Sequence, residues 1–465
     1  MCIEKQNTNL SAVEIEVKKE NLALYGKIVP TFFKYLIPSM LSLIAMTSAS
    51  LVDGIFIGNY VGVTALGAVN LTIPVTALLF GFAMMLSVGG SVRAGKYLGE
   101  KDYTAASSIF SKTLIFVAVY GVLAISLGLF FELELFAGLG AKEELFPLMS
   151  EYYRVILPFL LAQFIVIVMY FFIRLDGFPN LVAVALTVGA LVNILLDYLF
   201  IGVMGFGLRG AAYATGISQA LPMLVMMAYF ISPDRTMQFS IRQKNWREVL
   251  QAAYNGISEF INEISGGIIV LIFNWMLLQR FGVVGVAAIT VVNYVLMLGF
   301  MMFFSISDTI QVMVSQNFGA RNALRMMAFL KTACVSIFVL SSIFIIIVLS
   351  FGEALISIFV NGEDSEEMVS MALDFVTYVW PIFLFAGTNM LISGYLTAIH
   401  LPFQSGLVAL CRSLVFPTTF LIILYLLVSD YRFVAAIPLA ELAAFLIALL
   451  FFFQHLPEKV VRDIR

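Results

Sequence analysis

Runs of apolar residues, each long enough to cross ~30 Å of hydrocarbon as a helix, recur from one end of the chain to the other. They fall roughly at 30–57, 63–92, 108–131, 153–174, 180–202, 210–231, 250–279, 283–314, 327–351, 368–398, 403–428 and 433–454. Polar positions gather in the breaks between them. The pattern predicts an all-α integral membrane protein with twelve transmembrane helices. The breaks also differ in charge. Arg93, Lys96, Lys101 and Lys112 follow the second run, Arg235, Arg242, Lys244 and Arg247 the sixth, and Arg321, Arg325 and Lys331 the eighth, while Lys459, Arg462 and Arg465 lie at the end. The opposite breaks carry Glu132, Glu134, Glu143 and Glu144, then Glu353, Glu363, Asp364, Glu366 and Glu367. Lys and Arg near helix ends are retained on the cytoplasmic side. Both termini are therefore expected in the cytoplasm, with the chain in the cytoplasmic (inner) membrane.

The apolar pattern repeats. Residues 61–72 (VGVTALGAVNLT) align with 281–292 (FGVVGVAAITVV), and 98–106 (LGEKDYTAA) with 318–326 (FGARNALRM), both at an offset of 220. Further on, Pro158, Pro179 and Arg209 align with Pro381, Pro402 and Arg432 at an offset of 223. Each repeat holds six spans, an even number, so both enter the membrane in the same sense and are related by an axis along its normal. The expected organisation is two pseudo-symmetric six-helix bundles, 30–232 and 250–455, joined by a polar, basic linker at 233–249. Cytoplasmic tails are expected at 1–29 and 456–465. Two similar bundles facing each other across a cavity are suited to alternating access.

Composition narrows the function. The chain of 465 residues is 61% hydrophobic and 12% charged, outside the range of soluble domains. A formal charge of −3 gives no support for nucleic-acid binding. Cys2, Cys334, Cys411, His400 and His455 are too few and too scattered for a disulfide framework or a metal cluster. The polar start (Glu4, Lys5, Glu14, Glu16, Lys18, Lys19, Glu20) lacks the apolar core of a signal peptide. No Gly-rich phosphate loop followed by Lys is present, and no nucleophile–base pair or intramembrane metal pair points to an enzyme. The expectation is a transporter without a cofactor, driven by an ion gradient and working as a monomer.

Ionisable residues inside spans cost at least ~2.5–3.5 kcal/mol each on insertion scales, so they are candidate functional groups. Asp53 lies late in the first run and Asp197 in the fifth. Their repeat counterparts are Phe273 and Phe420, so the fold by itself does not require acids there. Asn193 precedes Asp197 by four residues, which puts amide and carboxylate on one helix face where they can share a proton or a small cation. A second acidic candidate is Glu259 with Glu263, also four residues apart and followed by Asn274. Of these, Glu263 lies deeper, whereas Glu259 sits near the start of its span and reads as interfacial. Glu441, in the twelfth run, either packs helices together or lines a cavity. Asp308, beside Gln311, is expected to be wetted, and Lys34, Arg174 and Arg412 to sit near span ends. The 43 Phe, 18 Tyr and 22 Met include enough aromatic and thioether surface for an adaptable wall facing lipophilic cations, although most such side chains face lipid. Prolines inside runs, Pro38, Pro74, Pro158, Pro381, Pro417 and Pro438, permit bends.

Taken together, DGIFIGNYVGVTALGAVNLTIP at 53–74, GGSVRAGKYLGEKD at 89–102, RLDGFPN at 174–180, NILLDYLFIGVMGFGLRGAAYATGISQ at 193–219 and NGISEFINEISGGIIVLIFN at 255–274 resemble the multidrug and toxic compound extrusion family of cation antiporters, from about Val29 to His455. The last segment is similar to a branch of bacterial multidrug pumps. The resemblance implies two six-helix bundles around a central cavity and outward movement of organic cations or amphipathic drugs in exchange for H⁺ or Na⁺. It also implies a proton or Na⁺ site at Asp53, Asn193 and Asp197. Other branches place a Glu in the seventh helix after Gly-x-Pro; here that stretch reads Gly256-Ile257-Ser258, with Glu263 at a similar depth. The alternative within the wider superfamily is a flippase for a lipid-linked or amphipathic substrate, which calls for a more basic cavity.

Overall fold

The structure, a computed structural model, describes residues 21–242, 244–357 and 365–463. Most of the expected N-terminal tail, and Glu363 and Asp364 of the acidic breaks, lie outside the described residues. The apolar runs become helices in the expected order: Ile28–Val61, Thr64–Gly99, Tyr103–Phe130, Glu143–Leu175, Pro179–Val203, Gly207–Ile231, Ile257–Gly282, Val284–Gly319, Ala323–Ile356, Pro402–Leu427 and Tyr431–Gln454. Between Ala323–Ile356 and Pro402–Leu427 lies a bent pair, Glu367–Val379 with Ile382–Ala398, which turns by 55° and forms the tenth span. The bend falls at Pro381, whose ring clashes with the preceding turn and which offers no N–H to the helix ladder. The fold is thus an all-α membrane fold of twelve spans. Hydrocarbon accepts this architecture because each helix satisfies its own backbone polar groups.

Several boundaries differ from the hydrophobicity reading. The seventh span starts at Ile257, because residues before it form a separate amphipathic helix, Arg247–Asn255, ended by Gly256. That helix straddles the expected linker boundary at 249. The second and eighth spans continue to Gly99 and Gly319, past the apolar runs, where the two halves pack closely.

The repeat is visible in the backbone. Gly62 and Gly282, 220 residues apart, both adopt positive φ (115° and 61°), a conformation open to glycine at little cost, and each separates a pair of spans. Lys101 and Arg321 share the left-handed conformation (φ 62° and 55°). The next residues cap the following helices alike: Asp102 accepts a hydrogen bond from the Ala105 N–H at 2.9 Å and Asn322 from the Arg325 N–H at 3.1 Å.

The halves meet at the end carrying Arg93, Lys96, Lys101, Arg321 and Arg325, here called the basic end. Contact is made backbone to backbone. A Cβ on Gly99 would lie 2.0 Å from the Gln316 carbonyl oxygen, one on Gly319 2.0 Å from that of Lys96, and one on Gly256 2.0 Å from that of Met85. Around these contacts, Asn21 Nδ2 donates to Gln316 (2.7 Å), Gln316 Nε2 to the Leu175 carbonyl (3.0 Å) and Asn317 Nδ2 to the Ala23 carbonyl (2.9 Å). The linker helix docks through Glu248, which accepts hydrogen bonds from Lys112 Nζ (2.7 Å), Arg93 Nε (3.2 Å) and Tyr97. Burial pushes the Glu248 carboxyl up, but hydrogen bonds from Lys112, Tyr97 and Arg93 and the charge of Lys112 outweigh it and hold the group below the ordinary carboxylate range.

Two outcomes follow. Gly99→Val should weaken the packing of the halves by about 1–3 kcal/mol, the usual cost of overfilling a packed contact; a melting temperature equal to wild type in detergent would show that the approach is looser than described. Because Glu248 titrates lower folded than unfolded, its contribution is complete above the unfolded carboxylate pKa and is lost as pH falls below it. Thermal stability measured down through that range should therefore fall less steeply in Glu248→Gln than in wild type.

Candidate functional site

In the first half, the first and fifth spans pack together and bring Asp53 and Asp197 within electrostatic reach of each other, with Thr215 of the sixth span beside Asp53. Asp197 is fully buried and Asn193 nearly so. Both acids stand one turn or less before a widened π-type turn, Ile57–Val61 and Tyr198–Val203. Asp53 and Asn193 line a cleft of about 570 Å³ together with Gln163, Thr215, Ser218 and Gln219. Asp53 Oδ1 and both Asp197 carboxylate oxygens are buried without a hydrogen-bond partner. Two adjacent carboxylates with unmet oxygens in a low-dielectric setting repel one another, and a proton or a monovalent cation between them removes the penalty. All three residues expected from sequence thus occupy one place. Among the described residues no group of three or more His, Cys, Asp or Glu side chains could hold a metal ion.

A larger cleft of about 1000 Å³ adjoins this one, sharing Met46, Ser50, Gln163, Val166 and Leu186, and reaches across to the second half. Its wall includes Met84, Met297, Met301, Phe80 and Phe304, and Glu263 is the charged residue lining it. Glu263 has room because it faces Gly81, where a Cβ would come within 3.1 Å of the Glu263 Cβ.

The remaining candidates are dispersed. Glu259, expected at the interface, is instead buried and accepts a hydrogen bond from Gln311 Nε2 at 3.3 Å; its span begins deeper because the linker helix takes up the preceding residues. Asn274 is half-buried and is brought to neither cleft. Glu441 packs helices: Asn389 Nδ2 donates to it at 2.7 Å and Arg412 Nε at 2.9 Å. Arg412 is therefore in mid-span rather than near an end, held where the eleventh span widens into the π-type turn Cys411–Val415. Phe273, the repeat counterpart of Asp53, is buried edge-on against Phe433, with centroids 5.9 Å apart.

Asp308 overturns its reading as a wetted residue. It is 1% exposed and forms an ion pair with Arg174, which is equally buried, and it accepts a hydrogen bond from Tyr170 at 2.7 Å. This pair joins the fourth span to the eighth, and Tyr170, which donates to Asp308, lines the large cleft. Sequence reasoning also passed over Gln163, Thr215 and Gln219. Thr215 and Gln219 are four residues apart within an apolar run, the same signal that singled out Asn193 and Asp197.

The MatE family profile matches this chain over residues 38–199 and 260–421, one stretch in each half. Among curated proteins, it is 24% identical over 397 residues to a probable multidrug resistance protein, YoeA, of Bacillus subtilis, covering 81% of this chain and 84% of the relative. It is 25% identical over 363 residues to the multidrug export protein MepA of Staphylococcus aureus, covering 77% and 80%. Among solved structures, one of a MATE protein in complex with MaL6 superposes with a TM-score of 0.90 at 23% identity, covering 95% of this chain and 99% of the other. The outward-facing conformation of a multidrug resistance MATE family transporter gives 0.87 at 23%, covering 93% and 96%.

The Arg174–Asp308 pair lends itself to a double-mutant cycle. Asp308→Leu alone leaves a buried guanidinium uncompensated and should cost about 3–5 kcal/mol, whereas Arg174→Met with Asp308→Leu should recover most of that loss. Chemical denaturation of the three variants reads the coupling, and a double variant as unstable as the sum of the two singles would remove the pair from this account.

Proposed function

The chain belongs to the MatE family, and we propose that it is a secondary active antiporter that exports organic cations or amphipathic drugs across the inner membrane in exchange for H⁺ or Na⁺. The observation that carries this reading is the large cleft between the halves: methionine and aromatic side chains form its wall, Glu263 is its charge, and among the described residues no Lys or Arg lines it. Such a wall attracts a flat lipophilic cation through its aromatic faces and repacks around different shapes through its methionines. A flippase for a substrate bearing pyrophosphate would need bases in this place. The names of the relatives, multidrug resistance and multidrug export proteins, agree with the same substrate class.

In this proposal the coupling ion binds at Asp53, Asn193 and Asp197. The unmet carboxylate oxygens are neutralised by H⁺ or Na⁺, and the ion leaves behind a negative field that reaches the adjoining cleft. Ion and cationic drug then compete, because each is held by the same charge. The proposal puts the basic end in the cytoplasm with both termini, so that the contacts joining the halves close the inner side and the cleft opens toward the outside. Alternating access requires those contacts to break and the opposite ends of the bundles to meet.

Efflux of ethidium from cells or inverted vesicles, with the pH and Na⁺ gradients collapsed in turn, tests the proposal. Asp53→Asn and Asp197→Asn should each lower efflux by about tenfold or more, within the range of typical coupling between ligand sites, and collapse of one gradient should abolish it. Wild-type efflux no greater than that of cells lacking the protein would refute the exporter, and full activity in both variants would move ion coupling elsewhere.

A further inference from the structure

A third cleft, of about 580 Å³, lies at the basic end between the two halves and shares no lining residue with the other two. It is lined by Arg93, Lys96 and Tyr97 of the second span, Gln251 and Asn255 of the linker helix, and His400 and Pro402 at the start of the eleventh span. Among the described residues no carboxylate lines it. Glu248 engages Arg93 through Nε alone, and Glu100 approaches Lys96 only at 3.9 Å on the exposed side, so the cleft keeps a net positive field. The eleventh span begins at Pro402, which adds the positive end of a helix dipole to the same wall.

His400 supplies the observation that marks the cleft as a binding site rather than a basic surface. Its Nε2 is buried and has no hydrogen-bond partner. Burial, with the charges of Lys96 and Arg93, pushes the imidazole down to about 3, so the ring is neutral and can present Nε2–H as a donor. His400 also holds a left-handed backbone (φ 61°), whereas Gly177, its counterpart 223 residues earlier, meets the same turn as glycine (φ 91°). The second half thus keeps a side chain where the first half dispenses with one, at a conformation that costs a non-glycine residue free energy. Asn255 gives its amide to the Thr397 carbonyl at 3.1 Å and keeps Oδ1 as a buried acceptor without a partner. An oxyanion that also carries a hydroxyl satisfies all of these groups at once.

We propose that this cleft binds a phosphate-bearing anion, held by Lys96, Arg93 and His400 with its hydroxyl on Asn255. The anion bridges the second span to the linker and the eleventh span, and so stabilises the arrangement in which the halves meet at the basic end. Phosphatidylglycerol headgroups and soluble phosphate offer the same chemistry.

Thermal unfolding of the purified full chain, followed by intrinsic tryptophan fluorescence, distinguishes the sources. One arm titrates inorganic phosphate against chloride at matched ionic strength, which removes general screening. The other compares nanodiscs of phosphatidylcholine with and without phosphatidylglycerol. Wild type should be stabilised in at least one arm, since a ligand bound only to the folded state raises its stability. Lys96→Gln and His400→Gly should each raise the half-saturating concentration about tenfold, equivalent to the loss of one charge-assisted hydrogen bond, while exposed Lys331→Gln should not change it. His400→Gly relaxes its backbone and keeps the test readable if Lys96→Gln fails to fold. Stabilisation in the phosphatidylglycerol arm alone assigns a lipid headgroup, and in the phosphate arm alone a soluble ligand. Shifts no larger than those with chloride and phosphatidylcholine, or wild-type saturation in His400→Gly, would overturn the proposal.

Discussion

Helix backbones can touch only where the side chains between them are absent, and in this protein that condition is met along one edge of the contact between halves. Gly89 and Gly256 face each other's helices, as do Gly99 and Gly319, each with a carbonyl of the opposing helix where a Cβ would stand. Hydrocarbon gives helices little hydrophobic reason to associate, so close van der Waals packing of small residues carries much of the attraction. Because these glycines cluster toward the basic end, the halves join there and separate elsewhere, and the large cleft is the space that the separation leaves.

The buried charges divide into two kinds on the same physical ground. Asp308 with Arg174, and Glu441 with Arg412 and Asn389, meet partners within hydrogen-bonding distance. They fix the relation between helices, and removing one partner strands the other in a low dielectric. Among the described residues no Lys or Arg pairs with Asp53 or Asp197, which lie beside each other, so their unmet oxygens leave two carboxylates uncompensated in one place. The second half has Phe273 and Phe420 at the corresponding depths, so the pseudo-symmetric scaffold holds an asymmetric site.

Much of the architecture was legible because the bilayer imposes simple rules. A run of about twenty apolar residues must be a spanning helix, and the repeat followed from offsets shared by Gly62 with Gly282 and Pro158 with Pro381. The Asp53, Asn193 and Asp197 group was legible for a related reason: acids in apolar runs are expensive and few. The separate helix at Arg247–Asn255 was not, because its face toward the core carries apolar residues that extend the seventh run in a hydrophobicity reading. Glu259 and Asp308 were misplaced toward water for the same cause, since distance along the chain from a span end measures depth only when no other element covers that end.

The sequence by itself determined the number of crossings, the helical class, the duplication and which acids lie within apolar runs, since each depends on composition within a single helix or on comparison of one half with the other. Tertiary structure alone decided which charges are paired, that Glu263 rather than Glu259 faces the large cleft, and that Arg93, Lys96 and His400, from different spans, converge at one place. Those outcomes depend on the rotation and depth of each helix against its neighbours, which are set by side-chain packing between segments distant in the chain.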